Sequence, residues 1–117
     1  MSYTIAELME ATLHGVFGER DDAKRAAKAA EIYSEKIVFA DPEGVVTGRD
    51  ALIAKATALL GGAPDFVFTE DGPVLQAQDL GHLAWTFGPP DGPPVARGID
   101  IAIVEDGQIV SLHTLLK

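Results

Sequence analysis

The stretch Gly98-Ile99-Asp100-Ile101-Ala102-Ile103-Val104-Glu105-Asp106-Gly107-Gln108-Ile109-Val110-Ser111-Leu112-His113 decides the fold. Its first half alternates β-branched residues with small or polar ones, the pattern of a strand with two unlike faces. Asp106-Gly107 is the dipeptide that closes a tight hairpin, and an apolar run resumes at Ile109. A long strand from Val95 to Glu105 therefore folds back onto a last strand from Ile109 to Leu116.

Alternation puts Ala96, Gly98, Asp100, Ala102 and Val104 on one face of the long strand, and Arg97, Ile99, Ile101 and Ile103 on the other. In the last strand the sets are Val110, Leu112, Thr114 and Leu116 against Ile109, Ser111, His113 and Leu115. Asp100 has only small neighbours on its own face, so that face has room for a cavity. A bare row of isoleucines on the opposite face would aggregate, and a symmetry-related copy of the chain is the economical cover.

Upstream lie three more strand-like segments: Phe66–Thr69, Val74–Ala77 and His82–Phe87. A bend at Asp71-Gly72-Pro73 separates the first two, and Gln78-Asp79-Leu80-Gly81 turns the chain into the third. Gly88 to Pro94 is a stiff proline-rich loop between strands. The N-terminal half is helical. Thr4-Ile5-Ala6-Glu7 reads as a capping box opening a helix to Phe17, stopped by Gly18. Asp21 or Asp22 caps a second helix through Ser34, with Ala26, Ala30 and Tyr33 as its expected buried stripe. A short strand covers Ile37–Ala40, and Thr47-Gly48-Arg49-Asp50 opens a third helix through Leu60 with Leu52, Ile53, Ala56, Leu59 and Leu60 inward. Helices first and strands after give an α+β domain, helices on one face of a curved sheet.

At 117 residues and 47% hydrophobic content, the chain is one globular domain with a real core. Its net charge is −9, from 9 basic and 18 acidic residues. Nucleic-acid binding needs the opposite balance, and anionic membrane surfaces are disfavoured for the same reason. No apolar run approaches the ~20 residues that span a bilayer. Met1-Ser2-Tyr3-Thr4 has no basic segment followed by an apolar stretch, so no leader peptide is expected, and with no cysteines a cytoplasmic protein without disulfides is expected. The histidines His14, His82 and His113 are scattered, with no metal-ligand spacing. No serine-centred elbow, phosphate-cradling glycine loop or nucleotide fingerprint is present, so neither a metal nor a cofactor is expected.

Two carboxylates stand out. Asp41 ends the apolar run Ile37-Val38-Phe39-Ala40, and Asp100 interrupts Ile99 and Ile101. Burying a carboxylate among such residues is unfavourable unless it is paired, hydrogen-bonded or protonated. Each has a plainer reading. Asp100 could sit at a sheet edge paired with Arg97, and Asp41 before Pro42 is a natural turn former. Trp85 shares a strand face with Leu83 and Phe87, which suits core packing and a cavity wall alike.

Ala30 to Pro42, followed by Gly48-Arg49-Asp50-Ala51-Leu52, and Gly98 to His113, in this element order, resemble the nuclear transport factor 2-like superfamily, in particular its SnoaL-like and ketosteroid isomerase-like members. The resemblance implies a cone-shaped curved antiparallel sheet wrapped around the three helices, enclosing a deep apolar pocket, and homodimers formed through the outer sheet face. It gives Asp41 the role of a general base, Asp100 that of a protonated acid donating to a developing oxyanion, and Tyr33 that of an orienting hydroxyl. His14, Phe17, Phe39, Trp85, Phe87, Leu112, Thr114 and Leu116 then line the pocket. The isomerases also carry an oxyanion tyrosine on the first helix, where this chain offers Leu13, His14 or Phe17, and a tyrosine on the third, near Ala56 here. Losing one such donor lowers turnover ~10²–10³-fold, which argues against classical steroid isomerase activity. The expected function is cofactor-independent acid/base chemistry on a small apolar carbonyl compound or epoxide, of isomerase, cyclase or hydrolase type. The alternative is a non-catalytic small-molecule-binding or dimeric assembly module of the same fold.

Overall fold

The computed structural model describes residues 3–117, so Met1 and Ser2 of the segment read for a leader lie outside the described residues. Helix α1 (Ile5–Glu10) continues without a break into a wider π-helical segment, Ala11–Phe17. The capping box is present: Thr4 Oγ1 accepts from Glu7 N at 3.1 Å, and Glu7 Oε1 accepts from Thr4 N at 2.8 Å. Leu8, Met9, Thr12, Leu13, Val16 and Phe17 form its buried face. Helix α2 (Asp22–Ile32) is capped by Asp21 and runs directly into strand β1 (Tyr33–Asp41). Strand β2 (Gly44–Thr47), helix α3 (Arg49–Gly61), β3 (Val67–Glu70), β4 (Leu75–Ala77), β5 (Leu80–Gly88), β6 (Ala96–Glu105) and β7 (Gln108–Leu116) complete the chain.

Seven strands form one curved sheet in the order β2-β1-β7-β6-β5-β3, with β4 also paired to β5. Every pairing is antiparallel except β1 with β7, which is parallel, so the sheet is mixed. A parallel pair needs a long crossover, and the whole of α3 to β6 provides it. The helices pack on one face, over the core of Leu8, Met9, Ile32, Ile37, Leu52, Leu83 and Leu112. Gly81 allows this close approach: a Cβ there would come within 2.9 Å of Met9 and 2.7 Å of Ile5.

Three local expectations are corrected. The buried stripe of α2 is Arg25, Ala29 and Ile32, while Ala26 and Ala30 are exposed. Arg25 is only 2% exposed, because its guanidinium bonds Asp22 Oδ1, Thr57 Oγ1 and the Glu19 carbonyl, tying α2 to α3. Tyr33 is the first residue of β1 and not the last turn of the helix. Gly48, not Thr47, caps α3, and no side chain bonds its first turn.

The alternation read for β6 holds: Gly98, Asp100 and Ala102 are buried beneath the helices, and Arg97 is exposed on the other side. In β7 it fails at one point. The register shifts so that Val104 pairs with Ile109 while Ile103 pairs with Ser111. Val110 is thus the extra residue of a bulge, which turns both Ile109 and Leu112 inward.

Candidate functional site

A cavity of about 440 Å³ lies between the concave sheet face, the π-helical segment and α3. Its walls are mainly Leu13, Phe17, Phe39, Ala58, Leu59, Phe68, Trp85 and Leu116, with Asp100 and Thr114 on the sheet and Asp41, Pro42, Glu43 and Lys55 on the remaining side. Of the residues expected there, Asp41, Asp100, Phe17, Phe39, Trp85, Thr114 and Leu116 line it.

Asp100 is the deep polar group, 4% exposed at the centre of β6. It pairs across the sheet with Thr114 and Leu83, and Trp85 stands on the same face next to it. The Trp85 indole N–H donates to Asp100 Oδ1 at 3.1 Å, and the Thr114 hydroxyl donates to the same oxygen at 2.8 Å. No described residue bonds Oδ2. Burial pushes the carboxyl up to about 6, and the Thr114 and Trp85 bonds hold it back from rising further. The sheet-edge reading, with Arg97 as partner, is excluded by this position. Trp85 reaches Asp100 because its indole lies over Gly98, where a Cβ would collide with the ring. Phe68 meets Trp85 edge-on at 5.2 Å, and Phe17 meets Phe39 at 5.6 Å, so two aromatic pairs shape the walls.

Asp41 combines both of its readings. Oδ1 accepts from the amides of Glu43 (2.9 Å) and Gly44 (3.2 Å), which makes the β1–β2 turn, while Oδ2 faces Lys55 Nζ at 3.3 Å. Lys55 also bonds Glu43 Oε1 at 2.8 Å; its pKa is raised, first by Glu43, then, against the lowering effect of burial, by Asp41. Asp41, Glu43 and Lys55 are 15%, 80% and 26% exposed at their side chains. They form the mouth of the cavity, and Asp100 lies at its depth.

Four expected site residues stand elsewhere. Tyr33 is fully buried behind the wall, its hydroxyl donating to Thr12 Oγ1 at 3.3 Å and not to Asp100. Burial is the main cause that drives its pKa far upward, so it stays neutral. His14 points away to bond Glu70 Oε2 at 2.8 Å. Phe87 stacks on Phe68 at 4.3 Å, one layer behind the cavity, and Leu112 is sealed in the core. Sequence reasoning missed Lys55, Phe68 and Leu59. The signal for Lys55 was its position as a lone charge inside Ala51-Leu52-Ile53-Ala54-Lys55-Ala56. Among the described residues, no three His, Cys, Asp or Glu side chains gather as a metal-binding group.

The sequence model of the SnoaL-like domain matches residues 11–112. The chain belongs to the SnoaL-like family. Solved structures agree on the fold. A SnoaL-like candidate isomerase from Agrobacterium tumefaciens strain C58 superposes with a TM-score of 0.87 at 22% identity, covering 94% of each chain. A candidate SnoaL-like polyketide cyclase from Jannaschia sp. CCS1 gives 0.79 at 15% identity, over 97% of this chain and 85% of that one. An NTF2-like protein from Cytophaga hutchinsonii gives 0.75 at 14% identity, over 100% and 93%. No curated protein matches the chain. At these identities the SnoaL-like fold is shared, and the chemistry must be argued from the side chains in the cavity. No helix of the described SnoaL-like domain is long and apolar enough to cross a membrane.

Proposed function

We propose that the cavity performs cofactor-independent acid/base chemistry on a small apolar carbonyl compound or epoxide, of the isomerase or cyclase type. The observation that carries this reading is the one-sided bonding of Asp100. With Oδ1 already accepting two hydrogen bonds, a proton taken up by this buried carboxyl resides on Oδ2 and is offered to the cavity. A substrate oxygen placed there would be polarised in a water-poor site, where such a bond is strongest. Asp41 is the base in this reading, receiving the proton removed beside the polarised carbonyl. Relatives named as a candidate isomerase and a candidate polyketide cyclase are consistent with chemistry of this class.

The test is exchange of α-hydrogens of apolar ketones in heavy water, followed by NMR. The wild-type protein should catalyse exchange, while Asp41→Asn and Asp100→Asn should each reduce it by about 10²-fold or more with folding intact. Equal rates in all three proteins would remove the proposal. A second reading is favoured by one observation: two backbone amides and Lys55 already hold Asp41, as befits a turn residue. In that reading the cavity binds an apolar ligand without turning it over. Saturable binding with no exchange would identify it.

A further inference from the structure

Helix α3 turns Lys55, Ala58 and Leu59 to the cavity, a spacing that sets them on one helical face. Opposite Lys55 lies the turn between β1 and β2. Residues 42–45 of this turn are all exposed, so its tip has no buried side chain to anchor it. It leads into β2, a four-residue strand at the edge of the sheet that pairs only with β1. The turn is nevertheless stiff within itself, because Asp41 Oδ1 accepts from the amides of Glu43 and Gly44. Among the described residues, the only ion pairs or side-chain hydrogen bonds from residues 41–45 to α3 are those of Lys55. They measure 3.3 Å to Asp41 Oδ2 and 2.8 Å to Glu43 Oε1. The remaining ion pairs lie within α2 or, as His14 with Glu70, join the π-helical segment to β3.

We propose that Lys55 is a positioning residue that latches the β1–β2 turn, and Asp41 with it, over the mouth of the cavity. Asp41, Pro42 and Glu43 line the cavity from the turn and Lys55 lines it from the helix, so the two ion pairs cross the mouth. With the pairs made, the turn is held to α3 and Asp41 stays at the cavity wall. With the pairs broken, the stiff turn swings as a unit about its edge strand, which widens the entrance and carries Asp41 outward. The side chains of Glu43 and Lys55 are 80% and 26% exposed, so ions in solution reach the latch and salt weakens it. The consequence for catalysis rests on the reading of Asp41 as the base. The latch itself does not, and it is tested without substrate or turnover.

Trp85 is the only tryptophan of the chain, is 6% exposed and lines the cavity, so a small neutral quencher reaches it through the mouth. The experiment is acrylamide quenching of its fluorescence at low salt and in about 1 M sodium chloride, where the screening length falls to about 3 Å. In the wild type the quenching constant should rise about threefold with salt, the size expected for losing two partly exposed ion pairs. Lys55→Met should show the higher constant already at low salt and be indifferent to salt. Lys55→Arg, which keeps both pairs, should behave as the wild type. Glu43→Gln changes only an exposed residue of the tip; it should fall between the wild type and Lys55→Met, and it decides the matter if Lys55→Met fails to fold. Wild-type quenching that salt leaves unchanged, or a Glu43→Gln constant equal to that of the wild type, overturns the latch. If the latch holds and no α-hydrogen exchange occurs, the catalytic proposal fails while the gated mouth stands.

Discussion

At Asp100, burial and hydrogen bonding pull in opposite directions. The carboxyl is 4% exposed, which favours the neutral acid, and two donors on Oδ1 favour the anion. Burial wins, and the group titrates near 6 in the fold against 3.8 when free. The folded protein therefore binds this proton more tightly than the unfolded chain between those values. Stability from this site is undiminished below about pH 4, falls as the pH climbs through the window, and is fully reduced above about pH 6. The reduction is of the order of 3 kcal/mol at ~1.4 kcal/mol per pH unit. Asp100→Asn lacks the titration. Urea unfolding of both proteins at pH 4 and pH 7 should show the variant gaining on the wild type by roughly that amount as the pH rises. A constant difference would mean that the carboxyl is not buried as described. Trp85 and Thr114 belong to the same unit, and Gly98 makes room for the indole.

At the scale of elements, what could be read in the sequence follows the regularity of each segment. The β6–β7 hairpin was legible because its alternation is regular and its turn is Asp106-Gly107, both residues at positive φ. The buried face of β6 placed Asp100 correctly for the same reason. Period-two counting failed in β7, where the extra residue Val110 reverses the faces and sends Ile109 inward. No local pattern announces a bulge, since its cause is the curvature that the sheet needs around the helices. The stripe of α2 was misread because counting apolar residues in an alanine-rich helix says little about orientation. The decisive residue was Arg25, whose partner Thr57 lies on another helix. His14 shows the related limit of helix register: Phe17, on the same segment, reaches the cavity as expected, and His14 does not. The π-helical segment carries both, and a side chain's direction there depends on a wider turn than a 3.6-residue count assumes. Lys55 was missed because a single lysine on a helix reads as a solvated charge until Asp41 and Glu43 are seen opposite it.

At the scale of the molecule, one face of the sheet carries the helices and cavity and the other is bare. On the bare face, Ile101 is flanked across the strands by His82 and His113, with Ile99 and Ile103 alongside. Leu115, Leu75 and Val45 on the same face are 49%, 56% and 66% exposed. His82 Nδ1 is buried there with no partner among the described residues. We propose that a second copy of the chain covers this face, as a hydrophobic patch on a strongly acidic protein would otherwise be left in water. Sedimentation velocity should find the wild type as a dimer and Ile101→Lys as a monomer with unchanged circular dichroism. A monomeric wild type at micromolar concentration would refute the pairing.

In the proposed chemistry Asp100 is a buried acid that offers its proton to the cavity. Carbon-detected NMR of its side-chain carboxyl, assigned through Asp100→Asn, tests this most directly when run with and without 2,6-diacetylnaphthalene. The free protein should show a midpoint near 6, and the bound ketone, accepting from the neutral acid, should move it higher. A midpoint near the ordinary carboxylate value of about 4, unmoved by the ketone, would contradict the account.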